Sequence, residues 1–148
     1  MKNKGLFSFV VRYLGFLKSI PLFPHVFDSL LKLWVFMTRS YLLDWFDEIE
    51  YEVLSWEGTS VSMHKYGGLQ FNCRGKEIGH LHGNGLLDVL FTREIKQQLL
   101  DKGRIQPHHV FEKSGWISFY IVNYYDKAYA EELLMIAYQR ITRTSVLQ

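Results

Sequence analysis

The run KEIGHLHGNGLLDVLF, residues 76–91, alternates with a period of two on both sides of a glycine-rich centre. From Glu77 to His82, successive side chains point to opposite faces of an extended chain. Gly83-Asn84-Gly85 then supplies the backbone freedom that a tight hairpin needs, and Leu86 to Phe91 returns with Leu87, Val89 and Phe91 on one face. These residues therefore predict two antiparallel strands joined by a short turn. The loop length is open. A three-residue loop, Gly83 to Gly85, places His80 opposite Asp88, and a two-residue loop, Asn84-Gly85, places it opposite Val89.

The same period extends in both directions. Upstream, Val61 and Met63 alternate with Ser60, Ser62 and His64. After Gly67-Gly68, Leu69, Phe71 and Cys73 alternate with Gln70, Asn72 and Arg74. Downstream, Thr92 caps a helix that runs to about Lys102 and ends at Gly103. His108 to Phe111 is a short extended piece, and Trp116 to Val122 is a last strand with Ile117, Phe119 and Ile121 inward. A final helix capped by Asp126 carries the stripe Ala130, Leu133, Leu134, Ala137 and Ile141.

The first part of the chain has the helical period. Residues 6–20 show one narrow polar stripe of Ser8, Arg12, Gly15 and Ser19 on an apolar surface, and Pro21 and Pro24 interrupt the chain. A second helix is expected from Pro24 to about Thr38, and a third from Tyr41 to Leu54 with Leu42, Trp45, Phe46, Ile49 and Val53 on one side. The expected fold is α+β: a twisted antiparallel sheet with helices packed on one side and a helical N-terminal extension. Residues 1–55 form that extension on a core of residues 56–148, one structural domain overall.

The apolar faces of the N-terminal helices call for cover, on the sheet or in a homodimer. Peripheral membrane contact is the alternative, disfavoured because the polar stripe of residues 8–19 is not notably basic. The chain has 148 residues, a formal net charge of +2 and a single cysteine, Cys73. No run of five or six like charges marks a nucleic-acid arm. The lone cysteine forms no internal disulfide and suits a reducing compartment, and Arg12 and Lys18 interrupt the apolar start. A cytoplasmic location is expected.

Several residues carry potential chemistry. His80 and His82 are two apart on a strand and share a face, as two metal ligands on a strand do. His108 and His109 offer a further imidazole, so a divalent metal on His80, His82 and His109 is one reading. Histidines bonded to backbone and to Asp88 are another. A His80–Asp88 pair would orient an imidazole for acid–base work. Trp116 and Ser118 lie on the non-core face of the last strand, where an aromatic ring and a hydroxyl suit a pocket for a planar or anionic ligand. The glycine pairs form no phosphate loop, and no Ser-His-Asp elbow occurs.

From about Trp56 onward the chain resembles the "luciferase domain" family, also labelled luciferase family protein. The resemblance rests on Lys65 to Phe71 (KYGGLQF), Lys76 to Gly83 (KEIGHLHG), Gly85 to Val89 (GLLDV), Pro107 to Val110 (PHHV) and Ser114 to Phe119 (SGWISF). Nothing in the chain resembles the flavin-dependent barrel luciferases or the adenylate-forming ones, so the label implies no light-emitting reaction. The order of elements is also similar to a small bacterial "double-wing" family, which implies a protein- or nucleic-acid-interaction module. The absence of a basic stripe counts against nucleic acid. The reading that ranks first is a small-ligand-binding domain with a pocket of His80, His82, Asp88, His108, His109, Trp116 and Ser118. A metal- or His-dependent enzyme using the same residues ranks second.

Overall fold

The computed structural model describes residues 22–145. The helix expected over residues 6–20 lies outside them. Among the described residues the chain forms α1 (Phe23–Arg39), α2 (Tyr41–Leu54), β1 (Thr59–Met63), β2 (Leu69–Cys73), β3 (Lys76–Leu81), β4 (Leu86–Leu90), α3 (Arg93–Asp101), β5 (Gln106–Pro107), β6 (Trp116–Tyr120) and α4 (Tyr124–Ser145). The fold is α+β, with an open antiparallel sheet of order β1-β2-β3-β4-β6-β5.

Strand alternation sorts the sheet into two unlike faces. Val61, Phe71, Gly79, Val89 and Ile117 stand side by side across five strands. They face the helices. Leu42, Phe46, Ile49 and Val53 of α2 and Ala130, Leu133, Leu134 and Ala137 of α4 complete this core. At Gly79 α4 packs close, since a Cβ there would lie 3.1 Å from Leu134 Cδ2. The neighbouring row, Gln70, His80, Asp88, Ser118 and Gln106, occupies the other face.

The central hairpin uses the three-residue loop. Leu81 pairs with Leu87, His80 with Asp88, and the His82 amide donates to Leu86 O at 2.9 Å. Gly85 sits at φ 85°, a left-handed conformation that glycine adopts without steric cost.

One expectation needs correction. The strand before β6 is not His108 to Phe111 but Gln106–Pro107, paired with Ser118 and Ile117. The reason lies in His108, whose Nδ1 accepts the amide N–H groups of Val110 (3.0 Å) and Phe111 (3.1 Å). Those donors turn the chain away from the ladder. Helix α1 is packed only in part. Its Val35 is buried, but Val26, Leu30, Leu33 and Met37 are exposed, so the apolar surface of this helix is not covered by the sheet. No described helix is long and apolar enough to cross a membrane.

Candidate metal centre

Asp88 lies in the middle of the polar face and is fully buried, at 0% exposure. Its Oδ1 accepts a short hydrogen bond from the Ser118 hydroxyl, its cross-strand neighbour. Its Oδ2 accepts no hydrogen bond of normal geometry. Three imidazoles surround that oxygen instead. His80 Nε2 is 3.3 Å away, His82 Nε2 3.4 Å and His108 Nε2 3.5 Å. All three rings are buried. His80 arrives from the neighbouring strand, His82 from the residue after β3, and His108 from the turn after β5.

Burial alone would raise the pKa of Asp88. The imidazoles of His108, His80 and His82 outweigh it and hold the carboxyl well below the usual range. Burial likewise works to lower His80, but Asp88 and Glu77 on either side outweigh it and the net shift is upward. His80 Nδ1 is 2.7 Å from Glu77 Oε1. Desolvation pushes Glu77 up, yet the bond to His80 leaves its pKa lowered. An ionised carboxylate only accepts, so His80 Nδ1 carries a proton and donates it to Glu77.

That assignment constrains the other ring nitrogen. If His80 is neutral, Nε2 holds a lone pair that faces the negative Oδ2 of Asp88. The pair is stable only with positive charge between them, a proton or a metal ion. A charge-assisted N–H···O bond is about 2.7–2.9 Å long. Two ligands each about 2.0–2.1 Å from a tetrahedral ion are roughly 3.3–3.4 Å apart. The 3.3 Å spacing suits the ion better. With an ion held there, Glu77 would be the carboxylate that orients His80 from behind.

His80, Asp88 and His108 bring one ligand atom each within 4.8 Å of one another, as do His64, Glu77 and His80. These buried and half-buried groups could hold a metal ion. The second set is the poorer cradle, because a 2.7 Å His80–Glu77 hydrogen bond leaves no room for an ion between those atoms. His108 enters the first set conditionally. Its Nδ1 accepts two amides, so its proton sits on Nε2, facing Asp88, and must leave before that nitrogen binds a metal.

The candidate residues fall in different places. His80, His82, His108, Asp88 and Ser118 converge. Trp116 is half-buried beside them, its ring 5.3 Å from that of His80 and 6.1 Å from that of His108. His109 is the neighbour of His108 in the turn after β5. It is exposed and stacks on His108 at 4.4 Å, and the group of ligand atoms that lie close together includes His108. The Val110 and Phe111 amides hold the His108 ring in place.

Two participants were not singled out from the sequence. His64 is buried and stacks on His80 at 3.8 Å, with the rings 8° from parallel. Burial, and then the neighbouring His80, lower its pKa to about 4. Its signal was present, because Ser60, Ser62 and His64 alternate on the polar face. Glu77 is the other. Strict alternation puts it on the face opposite His80. A bulge prevents this: Phe71 pairs with Gly79 but Asn72 with Glu77, so β3 spends one extra residue, Ile78, and Glu77 returns to His80's side.

The fold and site together define a small α+β domain with a buried histidine–aspartate centre on the polar face of its sheet. Residues 75–137 match the family model described as Luciferase domain, as the resemblance of the sequence indicated. The matched stretch contains His80, His82, Asp88, His108, His109, Trp116 and Ser118, while His64 precedes it. No curated protein and no solved structure matches the chain significantly.

Proposed function

We propose that this Luciferase-domain-like chain binds a divalent transition metal at His80 and Asp88, with one of His108 and His82 as the third ligand, and that the ion recruits a small ligand beside Trp116. The observation that carries the reading is the unbonded, fully buried Asp88 Oδ2 ringed by three Nε2 atoms at 3.3–3.5 Å. Imidazole together with carboxylate suits zinc or iron(II). A site with three protein ligands leaves a coordination position for water or a ligand. His109 is exposed and Trp116 half-buried on the β5–β6 side of the centre.

A second reading keeps a proton where the metal would sit. His80 would then be an imidazolium between Glu77 and Asp88, a buried acid–base group. The raised pKa of His80 favours it. Metal analysis of the chelator-stripped and reconstituted full chain separates the two. The metal reading expects about one zinc or iron per chain, lost in His80→Ala and in Asp88→Asn. If the parent chain takes up neither ion at micromolar concentration, the metal assignment is wrong and the imidazolium reading stands.

A further inference from the structure

Lys96 lies in the first turn of α3, yet it is only 6% exposed. A cation is disfavoured on both counts. Lysine is almost never fully buried unless paired, and a helix N-terminus carries partial positive charge. The partners of its ammonium are two backbone carbonyls rather than a carboxylate. Nζ donates to Glu112 O at 2.6 Å and to Ser114 O at 2.9 Å, both in the turn between β5 and β6. Local helix preference does not place a lysine there, so the reason lies in the turn.

The turn needs such an anchor. The side chains of residues 109–113 are all exposed, so packing offers little to hold this stretch. Hydrogen bonds run from the lysine to the centre instead. The Ser114 hydroxyl donates to Phe111 O at 2.6 Å, and the Ser114 amide donates to the same oxygen at 3.0 Å. The amides of Phe111 and its neighbour Val110 donate to His108 Nδ1. Trp116 is reached as well, since its amide donates to Ser114 Oγ at 3.2 Å.

We infer that Lys96 is a positioning residue of the histidine–aspartate centre. Its ammonium clamps the Glu112 and Ser114 carbonyls and thereby fixes the turn whose amides set the His108 ring beside Asp88. His108 Nε2 faces Asp88 Oδ2 at 3.5 Å, as the third ligand or as a donor to that oxygen, so loosening the turn disturbs the metal site in either role. The consequence for metal rests on the metal reading; the consequence for the turn does not.

Two measurements on the full chain test this. Hydrogen exchange of the Val110 and Phe111 amides in the metal-free chain reads the turn, and calorimetric titration with zinc reads the centre. Lys96→Met keeps the stem and removes the donors. It should speed exchange at Val110 and Phe111 at least about tenfold while the β2–β3 amides keep their protection. It should also weaken zinc binding about 10–100-fold, as loss of a group that supports a metal site does. Leu99→Ala removes a buried core side chain from the same helix and is the control. It should lower stability and leave both readings near the parent's. If Lys96→Met does not fold, Ser114→Ala cuts the same path at a half-buried hydroxyl and should move both readings in the same direction. The inference is overturned if exchange at Val110 and Phe111 stays at the parent rate, or if Leu99→Ala reproduces the losses. Faster exchange with unchanged zinc affinity overturns it too. If the parent binds no zinc, the metal reading fails by itself, and the exchange rates alone decide whether Lys96 fixes the His108 turn.

Discussion

Around Asp88 each hydrogen-bonding group has one role that its neighbours permit. Ser118 donates to Oδ1, His108 presents a protonated Nε2 to Oδ2, and His80 is oriented from behind by Glu77. Asp88→Asn puts amide hydrogens among groups arranged to face a carboxylate. It should abolish metal uptake and, as the loss of a buried charge from its partners, cost about 3–5 kcal/mol in urea unfolding with chelator present. Glu77 acts only through His80. Glu77→Ala should weaken metal affinity about 10–100-fold by calorimetric titration, whereas Glu77→Gln, which keeps an accepting oxygen, should recover most of it. Equal losses in both variants would remove the orienting role. His64 gives a pH signature. Its pKa falls from the ordinary 6.5 to about 4 on folding. Between those values the unfolded chain binds the extra proton, so this group makes stability rise with pH and fall on acidification. His80 acts in the opposite sense, its contribution being lost as pH rises through its raised pKa. His64→Phe should therefore flatten the parent's gain in unfolding free energy between about pH 4 and 6.5, measured with chelator. An unchanged slope would show that His64 titrates normally.

At the scale of elements, two devices position the centre. The bulge in β3 carries Glu77 round to the histidine face. The Gly83 turn is fastened to α1 by the bond between its amide and Asp28. Gly83 also lies against the helix closely enough that a Cβ would come 2.6 Å from Lys32 Cγ and 3.0 Å from Asp28 O. Asp28→Ala leaves a buried N–H without its acceptor. It should cost about 1–3 kcal/mol and speed hydrogen exchange of the Gly83 amide, while the β2–β3 amides keep their protection. Exchange at Gly83 matching the parent would mean that α1 is held by Val35 and its other contacts alone. Gly115 serves another junction. A Cβ there would lie 1.8 Å from Phe91 O, so this glycine lets the start of β6 approach the end of β4.

The whole molecule is a sheet used on both sides, with helices α2 and α4 on one face and the histidine–aspartate centre on the other. A ligand that binds only the folded chain stabilises it by mass action, about 2.7 kcal/mol at a hundredfold excess over Kd. For a chain of this size that corresponds to roughly 5–11 °C in Tm. Zinc or iron(II) should produce such a shift in scanning calorimetry of the parent and none in His80→Ala. A shift of equal size in both would place the ion elsewhere, with the acidic cleft of Asp47, Glu48, Glu52 and Glu131 the next place to look.

Local pattern determined most strands, the hairpin and the sharing of a face by Ser118 and Trp116. Alternation and turn glycines are properties of consecutive residues, and helix α2 at Tyr41–Leu54 was legible from its apolar spacing for the same reason. Three features needed the tertiary structure. The hairpin register was open by one residue, and cross-strand pairing closed it, setting His80 against Asp88. Glu77 was hidden because a bulge breaks the period that locates side chains, and it depends on how β2 and β3 align. The place of the His108 ring came from two backbone amides that meet one imidazole only after the turn has formed. Period tells which face a residue takes while the strand is regular. Where the ladder slips or ends, only the packed neighbours decide.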